Sequence, residues 1–173
     1  MIPHNLPREV KEELRRVYSD PRRFFRLLKV WDKSTKSYVP FVMNAEQERL
    51  LDALIAHKRI VVLKPRQVGV STLLRAWAFW QVFTGTNPVR GGVLSFTRPS
   101  SEVLMAMDRA FLDSLPPALT KHRKLKTDRM ASIEFGDTGA STSSFTASSR
   151  YGTRSYALSD AHISEFAFYE NPE

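Results

Sequence analysis

The chain has 173 residues, 42% of them hydrophobic, with 26 basic against 18 acidic side chains and a formal net charge of +8. This length supports one buried core, so a single domain is the default. The absence of cysteine excludes disulfides and thiolate metal sites, and the basic balance favours polyanionic partners, either nucleic acid or an anionic surface. No apolar run approaches a membrane span and residues 1–7 carry no signal-peptide core, so a soluble intracellular protein without a membrane partner is expected.

Residues 8–30 read as two short basic helices, the second opened by Asp20 as N-cap and Pro21 at the first helical position. Leu14, Val17, Phe24, Phe25, Leu27 and Leu28 supply an apolar side, and Arg15, Arg16, Arg22, Arg23, Arg26 and Lys29 crowd the rest. A helical cap with a solvated face is favoured over a DNA-binding or membrane-surface helix. Trp31 to Phe41, with Lys33-Ser34-Thr35-Lys36 in the middle, reads as a small hairpin or loop. Asn44-Ala45-Glu46-Gln47 has the form of a capping box, opening a helix to about His57 with Leu50, Leu51, Leu54 and Ile55 toward the core. Gln47 serves either that cap or the edge of an adenine.

Arg59-Ile60-Val61-Val62-Leu63 has the apolar density of a buried parallel strand, and Ser71 to Phe83 places Leu73, Trp77 and Trp80 on one helical face. Between them runs Lys64-Pro65-Arg66-Gln67-Val68-Gly69-Val70, leading into Ser71-Thr72. Against the phosphate-loop pattern G-x-x-x-x-G-K-[ST], Lys64 stands at the first glycine, Gly69 is in register, Val70 replaces the lysine and Ser71 holds the hydroxyl position. A strand, a loop and a helix N-terminus in succession aim backbone N–H groups and the positive end of a helix dipole at an anion. Ser71 can ligate Mg²⁺, and the missing cation would come from Lys64, from Arg66, or from both. An ordinary strand-turn-helix connection is the competing reading.

Gly85-Thr86-Asn87-Pro88 marks a turn, Val93 to Phe96 a second strand, and Thr97 to Leu115 a helix stopped by Pro116-Pro117. This β-α-β-α order predicts a parallel sheet with covering helices. Lys121 to Arg129 reads as a basic loop, a candidate contact for a DNA backbone. Ala131–Phe135 and Ser143–Ala147, joined by Gly136-Asp137-Thr138-Gly139, suggest a hairpin. A last short strand ending at Ile163 would present Ser164 and Glu165 at its C-terminal edge, where open α/β sheets bind ligands. Glu165 is the candidate general base and Ser164 a candidate holder of metal-bound water. Arg154, ten residues before Ser164, is the candidate stabiliser of charge in phosphoryl transfer. Asp160 contributes only if the strand's register turns it inward.

Taken together, Lys64 to Ser71, then Arg154, then His162-Ile163-Ser164-Glu165-Phe166-Ala167-Phe168, resemble the ATPase half of the large terminase subunit of tailed double-stranded DNA bacteriophages, over roughly residues 41–170. The resemblance implies an α/β fold: a three-layer P-loop NTPase of the additional-strand catalytic-glutamate (ASCE) type with a mainly parallel central sheet. Residues 1–40 would be an N-terminal helical segment packing on a core of residues 41–173. It also implies a Walker A-like loop formed by Lys64, Pro65, Arg66, Gln67, Val68, Gly69, Val70, Ser71 and Thr72, with Arg66 near the γ-phosphate and Gln47 on the adenine. Arg154 would act on a neighbouring subunit's nucleotide, and Glu165 would be the catalytic glutamate. ATP and Mg²⁺ are the implied cofactors, the metal lying near Ser71 and Ser164.

The implied partners are double-stranded DNA, a portal protein, a small terminase subunit and further copies of the chain in a ring. The implied place is the host cytoplasm, transiently at the procapsid portal. Two departures stand out, Val70 at the usual lysine and Ser164 where the acidic pair has aspartate. Family members continue into a coupling motif and a nuclease domain. With the sequence ending at Pro172-Glu173, the expectation is an N-terminal part of a longer subunit that binds nucleotide weakly and hydrolyses it slowly. A helicase-like ATPase and a nucleotide-binding, DNA-binding module without catalysis are the rival readings.

Overall fold

The structure, a computed structural model, describes residues 6–65, 68–121, 123–146 and 157–165. Helices α1 (Arg8–Ser19) and α2 (Pro21–Phe25) are divided by Asp20, whose carboxylate accepts from the Arg22 backbone N–H at 2.9 Å while Pro21 opens α2 without needing a donor. Phe24, Phe25 and Leu28 enter the main core, with Phe24 against Phe79 and Phe83. The Trp80 indole N–H donates to the Tyr18 carbonyl at 2.9 Å, fixing the end of α1 to the same surface. Strands β1 (Lys29–Asp32) and β2 (Ser37–Pro40) pair antiparallel as the expected hairpin.

Helix α3 (Ala45–Ala56) begins with the full capping box: Asn44 Oδ1 accepts from Gln47 N, and Gln47 Oε1 accepts from Asn44 N. Arg22 bridges α2 to α3 through ion pairs with Glu48 and Asp52. Helix α4 (Val70–Thr84) runs through the core, burying Leu73, Ala76, Phe79, Val82 and Phe83.

The main sheet contains β3 (Arg90–Ser95), β4 (Leu125–Arg129), β5 (Ser132–Phe135), β6 (Ser141–Thr146) and β7 (Asp160–Ile163), in the order β4-β5-β6-β3-β7. Strand β3 is parallel to both β6 and β7, whereas β4, β5 and β6 form an antiparallel meander. The fold is therefore α/β with a mixed sheet, parallel only around β3. Helix α5 (Arg98–Ser114), capped by Thr97, and the short α6 (Pro117–Thr120) connect β3 to the meander. Helices α4 and α5 meet each other and β6 through Arg75, Asp108 and Thr142, so they share one face of the sheet.

Three sequence expectations are corrected. The sheet is not mainly parallel: two of its four strand pairings are antiparallel, because β4, β5 and β6 follow one another through short turns rather than through crossover helices. Arg59 to Leu63 is not a buried parallel strand: it belongs to no sheet among the described residues, and Val61 and Leu63 are 99% and 101% exposed. A β-branched run expresses fit to a pleated surface with neighbours, and no described strand lies beside this one. The basic stretch Lys121 to Arg129 is only partly a loop, because Leu125–Arg129 pairs with β5. Its Arg123 is buried rather than offered to solvent, bonding Asp137 at 2.8 Å and the Val82 carbonyl at 3.2 Å, with its guanidinium 4.5 Å from the Phe135 ring centroid.

Candidate functional site

The loop before α4 is held from below by α3. Gln47 Nε2 donates to the Gly69 carbonyl at 2.9 Å, and Asn44 Nδ2 donates to the Val68 carbonyl at 3.4 Å. Gly69 has φ +73, a left-handed conformation natural to glycine, and a Cβ there would stand 2.6 Å from Gln47 Nε2. The glycine thus turns the chain into α4 and lets α3 approach. The first turn closes with Leu73 N donating to Gly69 O at 3.1 Å. Among the described residues no side chain caps α4 and no acidic residue lies in its first turn, so no described carboxylate of the helix itself claims the N–H groups that a helix leaves unpaired at its start. Val70 is buried, Ser71 and Thr72 are half-buried, and Lys64 and Pro65 are exposed. Arg66 and Gln67 lie outside the described residues.

Gln47 is itself buried, and both ends of its amide are engaged, one in the cap and one on Gly69. The capping role is the one present here; contact with an adenine would add to it or displace it.

The second candidate element is the end of β7. Ser164 N donates to Leu94 O at 2.8 Å, prolonging the parallel pairing with β3 by one residue, and Glu165 follows in a left-handed conformation with φ +57 and an exposed side chain. The chain therefore turns at the glutamate, at the C-terminal end of the strand. After burial and Arg75, the charge of Lys64 helps hold the His162 imidazole of β7 below its usual range. Among the described residues no hydrogen bond or ion pair joins Glu165 to the loop. Arg154 lies outside the described residues.

Behind this site is a buried polar network centred on Arg75 of α4. Arg75 pairs with Asp108 of α5 through two hydrogen bonds, one of 3.0 Å from Nε, and donates to Thr142 Oγ1 of β6 at 2.8 Å; Thr142 in turn donates to Asp108. Arg75 and Asp108 are fully buried. On β7, Asp160 does face inward, accepting from Gln81 of α4 at 3.4 Å, and its carboxyl is pushed above the usual range by burial, with Arg75 opposing. His162, on the same strand face, is pushed down to about 3, mainly by burial and further by the charges of Arg75 and Lys64. It is neutral at physiological pH. Arg75 Nη1 and His162 Nδ1 are buried without hydrogen-bond partners among the described residues.

This network was not foreseen from sequence. Its signal was present: Arg75 interrupts the core-facing side of an apolar helix, and Asp108 stands four residues after Leu104 and three before Phe111 on another. A charge within each of two apolar stripes announces a partner, but not which one.

Among the described residues no group of three His, Asp or Glu side chains is arranged to hold a metal ion. The oxygen donors predicted for a metal are hydroxyls, Ser71 on α4 and Ser164 after β7. Such donors suit a Mg²⁺ carried in on phosphate oxygens, which takes only one or two protein ligands. No helix among the described residues is long and apolar enough to cross a membrane. Compared with known proteins, the chain matches no family model and no curated protein.

Proposed function

We propose that this chain is the ATPase domain of a phage terminase large subunit, a P-loop NTPase of the ASCE type that couples ATP hydrolysis to translocation of double-stranded DNA into a procapsid. The observation that carries the reading is the glycine turn at the uncapped N-terminus of α4, clamped by Gln47. The order of these parts along the chain supports it further.

In this mechanism the N–H groups at the start of α4 receive phosphate oxygens, Lys64 and Arg66 supply the positive charge that Val70 lacks, and Ser71 and Ser164 attend the metal. Bound Mg²⁺ would neutralise phosphate charge. Glu165 accepts the proton of the attacking water, and Arg154 stabilises the transferring group on a neighbouring copy. The net charge of +8 suits a sequence-independent grip on DNA. Assembly as a ring on a portal protein, with a small terminase subunit, in the host cytoplasm belongs to the same proposal.

Nucleotide binding and Mg²⁺-dependent ATP hydrolysis, measured side by side, test it. Lys64→Ala should weaken binding at least tenfold, and Glu165→Gln should retain binding while losing turnover. Unchanged behaviour in both variants would sink the active-site assignment.

A further inference from the structure

The β1–β2 hairpin lies outside the candidate site and carries an exposed aromatic pair among lysines. Trp31 and Tyr38 are directly opposite in the antiparallel register, with ring centroids 5.3 Å apart and planes at 71°. They are 54% and 55% exposed, although large aromatic side chains usually seek cover. Strand alternation accounts for the division of faces: Val30 and Val39 form the neighbouring cross-strand pair on the opposite face, where Val30 packs on the core. The hairpin is thus seated through Val30, and the aromatic face is left to solvent.

The charge on this hairpin is one-sided. Lys29 shares the face of Trp31, and Lys33 and Lys36 stand in the connecting turn, all three exposed. Its acidic residue, Asp32, falls on the valine face by strand alternation and is occupied locally: its carboxylate accepts from Ser34 N at 2.7 Å, which holds it below the usual range. Lys36 adopts φ +49, where glycine or asparagine fits more comfortably, so the turn carries its positive charge at some conformational cost.

We propose that this hairpin is a docking surface for single-stranded nucleic acid, with a base stacked on Trp31 or Tyr38 and the lysines on flanking phosphates. A cross-strand aromatic pair helps hold a hairpin, but a T-shaped pair uses one ring's edge and leaves ring faces open. Open π-faces amid cations accept unpaired bases of any sequence. A continuous duplex presents phosphates to such a surface and keeps its bases stacked inside, so the aromatic contribution belongs to an unpaired strand. The assignment does not depend on ATP chemistry.

The test is a titration of the whole chain with a thymidine oligonucleotide, followed by tryptophan emission and by anisotropy of a labelled strand, beside a duplex of equal length. The single strand should quench emission and bind more tightly than the duplex. Trp31→Ala should abolish most of the quenching and weaken binding roughly tenfold, while Trp31→Phe should restore most of the affinity. Lys33→Ala/Lys36→Ala, which leaves the aromatic pair intact, should flatten the salt dependence by about 1.4 in log–log slope. Unaltered binding in Trp31→Ala and in the double lysine variant would overturn the proposal. So would Trp31-dependent binding to phosphatidylserine vesicles, or Trp31-dependent self-association, in place of the oligonucleotide.

Discussion

Gln47 and Gly69, 22 residues apart in sequence, are joined by a 2.9 Å hydrogen bond from the buried amide to the carbonyl of the residue that turns the chain into α4. One side chain therefore caps its own helix and sets the start of another. Gly69→Ala should lose stability twice over, through the left-handed φ and through a Cβ driven to 2.6 Å from Gln47 Nε2. A loss of about 2 kcal/mol or more in urea unfolding is expected. Adding Gln47→Ala should relieve the clash but not the backbone strain, so the two changes should be non-additive.

The Arg75–Asp108 pair makes the sharper stability prediction. Removing either partner leaves a buried charge, so Arg75→Met or Asp108→Leu alone should cost about 3–5 kcal/mol, whereas the double change should fall closer to the parent. Thr142, which bonds both, should be retained in this cycle. Additive losses in the double variant would mean that the pair is not the interacting unit.

His162 gives stability a defined pH dependence. The unfolded imidazole binds a proton near pH 6.5, and the folded one resists it until about pH 3, so the unfolded state holds more protons between these values. Stability is present above pH 6.5 and is lost as pH falls toward 3. Between pH 7 and 5 the contribution is roughly 2 kcal/mol. Asp160, Arg75 and Lys64 share this environment; Asp160, whose folded value is raised, acts with the opposite sign, giving stability below about 3.8 that is lost as pH rises. Denaturant unfolding at pH 7 and 5 should show a clearly smaller loss in His162→Gln than in the parent. Equal losses would rule out the imidazole as the cause.

The segment before the loop can be tested by its indifference. With its side chain wholly exposed, Leu63→Ser should change stability by less than about 0.5 kcal/mol, where a buried strand position would lose several times more.

Local structure was legible in the sequence wherever a signal and its partner lie within a few residues. The Asp20-Pro21 start, the Asn44–Gln47 capping box, the helix over residues 70–84 and the pairing of Ser132–Phe135 with Ser141–Thr146 all emerge from short-range chemistry. Gly69 stands in register with the phosphate-loop glycine, and its φ of +73 is a conformation that glycine adopts without strain. Burial is another matter, because it depends on what arrives from elsewhere. Residues 59–63 have the composition of a buried strand but pair with no described strand; Arg123, in a basic run read as a surface contact, lies against two phenylalanine rings. Arg75 finds Asp108 and Thr142 only when α4, α5 and β6 come together. Sequence by itself determined the turns, caps and periodicities, since those energies are local; the tertiary structure decided which charges are paired and which apolar runs are covered, since desolvation is a property of the assembled neighbours.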